Sequence, residues 1–174
     1  MSSVNRFVMR SCSSRLIVGS ATRIFWLLCV LKTGSNPLLM RQSTGFCIAL
    51  DGNKPVGYIF CEGGTVTEEM KTARPDWADG FSADAGDLYP RDMPTPMVAA
   101  HLNNLYVLPE YRGQHISSEL MAKGMAWMKN IPGVERAFVH VSNGNNAGAL
   151  YGKYGFRYSH DVYDGLIDAY QLVY

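Results

Sequence analysis

The stretch LYVLPEYRGQHISSELM, residues 105–121, sets a strand, a basic corner and a helix start in immediate succession. Leu105, Tyr106, Val107 and Leu108 suit a buried strand, and Pro109 stops its ladder because proline has no backbone donor. Ser117, Ser118 and Glu119 favour a helix N-terminus. Between them lie Arg112, Gly113, Gln114, His115 and Ile116. Backbone N–H groups at such a junction attract an anion. A second glycine-bearing stretch, GALYGKY at 148–154, does not make a nucleotide triphosphate loop. Its glycines are one residue too close, and Tyr154 stands where a magnesium-holding hydroxyl residue is needed. Cys12, Cys29, Cys47 and Cys61 form no CxxC pair, so neither zinc nor redox chemistry is expected.

The elements that must carry this corner are read from hydrophobic period and turn residues. RFVMRSC at 6–12 reads as a first strand, and Leu16 to Leu31 as an amphipathic helix with Leu16, Ser20, Ile24, Leu27, Leu28 and Leu31 near one face. Arg23 interrupts that apolar run, and no clear cleavage site follows it. It is therefore read as a buried helix and not as a signal sequence or a membrane span. GFCIALDGNKPVGYIFCEGG is a hairpin turning at residues 51–54, and its Cys47 and Cys61 read as buried thiols. Residues 65–95 form a polar insert rich in Asp, Pro and Gly, either a solvated loop or a lid. A strand at 98–108, the corner, and a helix to about Asn130 follow, with Ile116, Leu120, Gly124, Trp127 and Ile131 facing the sheet. ERAFVHVS is the next strand, NNAGALYGKYGF gives a short helix, and RYSHDVY and DAYQLVY close the sheet. Strands alternating with helices make a single α/β (mixed α+β) domain over residues 1–174. A net charge of +1 offers no broad field for nucleic acid or membrane, so any cationic function is local. The absence of Asn-x-Ser/Thr acceptors and the scattered cysteines point to a reduced, cytoplasmic protein.

LYVLPEYRGQHIS followed by VHVSNGNNAGALYGKYGF resembles the GNAT family, the Gcn5-related N-acetyltransferases that use acetyl-coenzyme A. The likeness covers residues 98–156 and rests on the order and spacing of two motifs. It implies a central, twisted, mostly antiparallel mixed sheet of six to seven strands flanked by helices. That sheet would be splayed between its fourth and fifth strands, here 98–108 and 135–142. It implies a pyrophosphate cradle at Arg112, Gly113, Gln114, His115, Ile116 and Ser117. Tyr106 and Val107 would offer backbone groups to the pantetheine arm, with an oxyanion donor near Val107. One of Asn143, Asn145 and Asn146 would also touch that arm. This chain departs from the family at His115 and Ser117, where glycine and then glycine or alanine are usual.

The chemistry implied is direct acetyl transfer to a primary amine without a metal. An alkylammonium, with a pKa of about 10, must first lose its proton. Tyr151 matches the family tyrosine that protonates the departing thiolate, with Tyr154 as the alternative. The usual glutamate base is missing. His101 stands in that region and has a suitable intrinsic pKa. Asn103 or Asn104 ordering a water, or the carboxylate of Tyr174, are the other options. Asp76, Asp79, Asp84 and Asp87 could draw a cationic amine, and Trp77, Phe81 and Tyr89 could wall its pocket. The acceptor is a small-molecule amine or a peptide or protein amine, and a homodimer is left open. The competing reading is a non-catalytic acyl-coenzyme A-binding module of the same fold.

Overall fold

The computed structural model describes residues 15–18, 23–33, 43–74, 79–81, 87–144 and 147–174, the first two segments by backbone pairing only. The expected strand at 6–12 lies outside these residues, as do Asp76, Trp77, Asp84, Asn145 and Asn146. The chain divides into two compact units. Residues 1–63 and 102–131 form the first, and 64–101 and 132–174 the second. Both carry a sheet, and one long strand, β5 (Met97–Val107), contributes to each.

In the first unit the strand order is β1 (Arg15–Val18), β2 (Arg23–Thr33), β3 (Ser43–Asp51), β4 (Lys54–Val66), then β5. The expected helix over Leu16 to Leu31 is overturned: its described residues, 16–18 and 23–31, belong to β1 and β2. β2 pairs antiparallel with β3 from Phe25 opposite Asp51 to Thr33 opposite Ser43. A continuous apolar run such as Ile24 to Leu31 fits a buried strand as well as a helix, and periodicity alone does not separate them. Pairing with β3 decides in favour of the strand. The hairpin is as expected, with a tighter turn at Gly52 and Asn53, where Gly52 takes φ +59°. Leu108 N donates to Val56 O at 2.9 Å, and Asn103 meets Glu62 across the same pair of strands, so β4 and β5 run antiparallel.

Helix α2 (Ile116–Lys129) covers one face of this sheet. Ile116, Leu120, Gly124 and Ile131 are buried as their spacing predicts, Trp127 is half-buried, and Met121 and Met128 join them. Two glycines allow the close approach. A Cβ on Gly45 would lie 2.5 Å from the Trp127 indole, and one on Gly124 2.5 Å from Ile59 Cδ1. Cys61 is a buried free thiol as expected, whereas Cys47 is disulfide-bonded, against the sequence reading. The β2–β3 register aligns Cys47 with Cys29, a neighbour that separation along the chain does not reveal.

In the second unit the order is β5, β6 (Arg136–Ser142), β8 (Ile167–Val173), β7 (Arg157–Val162), and a short helix α3 (Gly148–Gly152) precedes β7. Glu135 N donates to Val98 O at 2.9 Å where β5 and β6 meet. The described residues thus hold eight strands, one or two more than expected because 15–18 and 23–33 are strands. The insert is not all loop. β4 runs on to Val66, and α1 (Glu68–Thr72) follows with Thr67 as its cap. Its return limb is tied down by the buried Lys71, whose Nζ donates to Arg91 O at 2.6 Å and Met93 O at 2.9 Å. Val66, Tyr89, Met93, Met97, Ala99 and Phe138 pack into one core cluster.

Candidate active site

The corner after β5 is built by its own sequence. Pro109 starts a single 3-10 turn, Pro109–Tyr111, and Tyr111 N bonds back to Leu108 O at 2.9 Å. Tyr111 is buried, and its hydroxyl donates to Asp51 Oδ2 at 3.0 Å, which fastens the turn to the β3–β4 hairpin. Lys54 adds an exposed ion pair with Glu110 at 3.5 Å and lies 5.1 Å from the centre of the Tyr111 ring. Arg112 then folds back, its Nε donating to Val107 O at 3.2 Å. Tyr106 is 41% exposed and Val107 is buried.

Gly113 takes φ +75° and His115 φ +60°, so two left-handed residues reverse the chain before α2 starts. Gly113 has open space around the position of a Cβ. His115 is the N-cap of α2 and makes no side-chain cap hydrogen bond. Glu119 N to His115 O, at 3.2 Å, is the first bond of the helix. The N–H groups of Ile116, Ser117 and Ser118 therefore precede the ladder and need an acceptor from elsewhere. Ile116 sends its side chain into the core, so it can offer only backbone, while Gln114 and Ser117 are half-buried. A helix N-terminus with no side-chain cap, a conformationally free glycine and a neighbouring guanidinium fits a pyrophosphate.

The second unit holds the remaining candidates. Tyr151 is buried on α3, edge-on to Phe156 at 6.0 Å and 6.5 Å from Tyr170. Burial pushes its phenol up from the ordinary value, so it keeps its proton at neutral pH. Asn143 is exposed. Its Nδ2 donates to Gly165 O at 2.8 Å and its backbone N–H to Leu166 O at 2.9 Å, which commits this asparagine to the β7–β8 turn. Tyr174 N bonds Glu135 O at 3.0 Å, at the start of β6.

His101 lies on β5 against Tyr89, whose hydroxyl and His101 Nε2 share a 3.0 Å hydrogen bond. Its ring stacks on Phe138 at 5.7 Å and on His140 at 6.3 Å. Burial first, and the neighbouring His140 second, push the His101 pKa down to about 4. The imidazole is neutral at physiological pH, with a proton acceptor of low basicity. Sequence reasoning missed His140 and His160, which this face gathers beside His101. It also missed Glu62 on β4, whose carboxylate accepts from Asn103 Nδ2 in the first unit. The pairing of β4 with β5, which the hairpin register alone does not give, is what brings Glu62 to Asn103. Among the described residues no group of three or more His, Cys, Asp or Glu is arranged to hold a metal ion.

A family model for the acetyltransferase (GNAT) family matches residues 20–156, most of the chain and both motifs. The chain belongs to the GNAT acetyltransferase family. Acyl transfer is the general chemistry of that family, and the mixed α/β sheet with flanking helices is its fold. Solved structures resemble it at low identity. The PaiA N-acetyltransferase of Thermoplasma acidophilum, in complex with coenzyme A, is 20% identical over 75% of this chain and 61% of that one, with a TM-score of 0.48. Arabidopsis thaliana NAA60 in complex with acetyl-CoA is 20% identical over 75% of each chain, with a TM-score of 0.49. PH1933 of Pyrococcus horikoshii is 21% identical over 74% of this chain, with a TM-score of 0.48. The chain spans 64% of PH1933 and 61% of PaiA. No curated protein sequence matches this GNAT chain.

Proposed function

We propose that the chain is an N-acetyltransferase that moves the acetyl group of acetyl-coenzyme A directly to a primary amine, through a tetrahedral intermediate. The observation that carries this reading is the corner Arg112–Ser117. Its left-handed Gly113 and His115 and the uncapped start of α2 together supply donors for a pyrophosphate. Tyr106 and Val107 offer strand backbone to the pantetheine arm, joined by one of Asn143, Asn145 and Asn146. Val107 N–H is the oxyanion donor of this reading.

Tyr151, which burial keeps protonated at neutral pH, gives that proton to the departing thiolate. His101, neutral above about pH 4, accepts the amine proton directly or through water. Because Tyr89 covers it, the exposed Asn103–Glu62 pair holding a water is the second candidate for that step. The acceptor is a small-molecule amine or a peptide amine, and the site of action is the cytoplasm.

A second reading, a non-catalytic acyl-coenzyme A-binding module, draws on two observations: the covered, weakly basic His101 and the histidine at position 115. Incubation with acetyl-coenzyme A and an amine panel, following free thiol, separates the two. Amine-dependent thiol release supports the enzyme, and cofactor binding without release supports the module. Tyr151→Phe is expected to lower kcat at least tenfold with little change in coenzyme A affinity; unchanged turnover at every pH would remove Tyr151 as the acid.

A further inference from the structure

Three histidines of the second unit converge on three consecutive residues of the insert's return limb. His160 Nε2 is 2.8 Å from Asp87 O, and His140 Nε2 is 2.7 Å from Leu88 O. His101 Nε2 is 3.0 Å from the Tyr89 hydroxyl. A carbonyl can only accept, so Nε2 of His140 and His160 both carry a hydrogen. The sheet explains the alignment. β6 and β7 both pair with β8, and Ala169 is the register partner of His140 on one side and His160 on the other. Directly opposed residues share a face, so the two imidazoles stand on one surface with a methyl group between them. His101 continues the row, stacked on His140 with 12° between the rings.

We propose that His101 and His140 are the pH-sensitive members of a latch that His160 completes. In their neutral form they hold Asp87–Tyr89 on the sheet, and on acidification the segment undocks reversibly while the sheet beneath stays folded.

The surroundings decide which members respond to acid. His160 faces a cavity of about 530 Å³ lined by Asp87, Arg91, Asp92, Asp161 and Gln171, with Asp87 and Arg91 themselves 3.7 Å apart. His101 instead faces the Tyr89 and Phe138 rings and His140. His140 faces His101, the Leu88 carbonyl and, through repulsion, His160. Among the described residues no carboxylate meets a proton on either buried ring, and protonating both sets two cations in stacked rings. On the other flank Tyr163 packs against Phe81, carries Arg74 at 5.9 Å and faces the Asp87 carboxylate.

Tyr89 covers His101, so undocking returns that ring to water. Burial and the His140 neighbour hold the docked His101 pKa near 4, and burial lowers that of His140. With an ordinary value near 6.5 once released, His101 alone shifts the docked-to-undocked ratio about 20-fold between pH 7 and pH 5. Because Asp87 and Tyr89 also wall the cavity, release changes its shape.

Amide hydrogen exchange on the whole chain at pH 7 and pH 5, corrected for the intrinsic pH dependence of exchange, tests the latch. Protection of a peptide spanning residues 87–93 is expected to fall about tenfold or more at pH 5 and to recover at pH 7. Peptides from β6 and β8 should keep theirs. The double variant His101→Gln, His140→Gln keeps neutral N–H donors and cannot titrate, so its protection should no longer depend on pH in this range. Imidazole NMR titration of the wild-type chain gives a readout that needs no variant: two rings should titrate together with the loss of protection. Equal loss across the second unit, no loss at 87–93, or an unchanged pH dependence in a folded double variant would each overturn the proposal.

Discussion

Replacing His115 by glycine tests whether the corner before α2 works through its backbone. His115 holds φ +60° and ψ 7°, and its side chain makes no cap bond to the helix. A left-handed conformation costs a residue with a Cβ about 1–2 kcal/mol, and histidine is among the side chains that tolerate it best. Glycine removes that cost but loses more freedom on folding, up to about 1 kcal/mol. The balance predicts that His115→Gly stabilises the fold by about 0.5–1 kcal/mol, a rise in Tm of roughly 1–4 °C for a chain of this size. His115→Ala keeps the strain and should give no gain. Thermal unfolding measures both, and calorimetric titration with coenzyme A supplies the second axis. If the N–H groups of 113–118 carry the pyrophosphate, His115→Gly leaves affinity within about threefold, because the backbone path is kept. A loss of stability in His115→Gly, or a tenfold fall in coenzyme A affinity, would refute the reasoning. The first would mean that the imbalance of strain and freedom was misjudged, the second that the imidazole itself touches phosphate.

Three further outcomes follow from the geometry. Gly45→Ala forces a methyl to 2.5 Å from the rigid Trp127 indole and should cost about 1–3 kcal/mol in chemical denaturation, whereas Gly124→Ala meets the flexible tip of Ile59, gains helix propensity and should stay within about 1 kcal/mol of the wild type. Cys61, its pKa pushed up to about 12 by burial, should resist alkylation at pH 8 until the chain unfolds; rapid labelling of the native protein would show that the thiol is not enclosed. His101 makes stability depend on acid: the unfolded chain binds its proton near pH 6.5 and the folded chain only near pH 4, so unfolding free energy rises with pH across that window. About 3 kcal/mol present above pH 6.5 should be lost by pH 4, and His101→Gln should flatten that slope in denaturant titrations.

The elements around the site were legible because local signals agree there. Pro109 and Tyr111 form a turn, Gly113 sits where a positive φ is needed, and the apolar residues of α2 recur at helical spacing. The Leu16–Leu31 run carried no such agreement. Its apolar residues satisfy both periods, and only the residue-by-residue pairing of β2 with β3, a long-range fact, resolves it. The same limit hid the bonded state of Cys47, which depends on what register brings opposite it.

The histidines show the limit most clearly. In the sequence His101 stands out as a candidate base on a strand. His140 and His160 do not, because each is ordinary within its own strand. Their relation exists only through β8, which aligns Ala169 with both, and through an insert that returns to lay Asp87, Leu88 and Tyr89 across the row. That arrangement changes the reading of His101. A histidine open to water near pH 6.5 is a strong candidate for a base, but one held near pH 4 under Tyr89 takes a proton only when its cover is displaced. If His101 is the base, turnover and the docking of Tyr89 must then share one pH dependence. Should the rate profile instead follow a carboxylate and be lost in Glu62→Gln, the proton leaves through the Asn103–Glu62 pair and the histidine row serves only the insert.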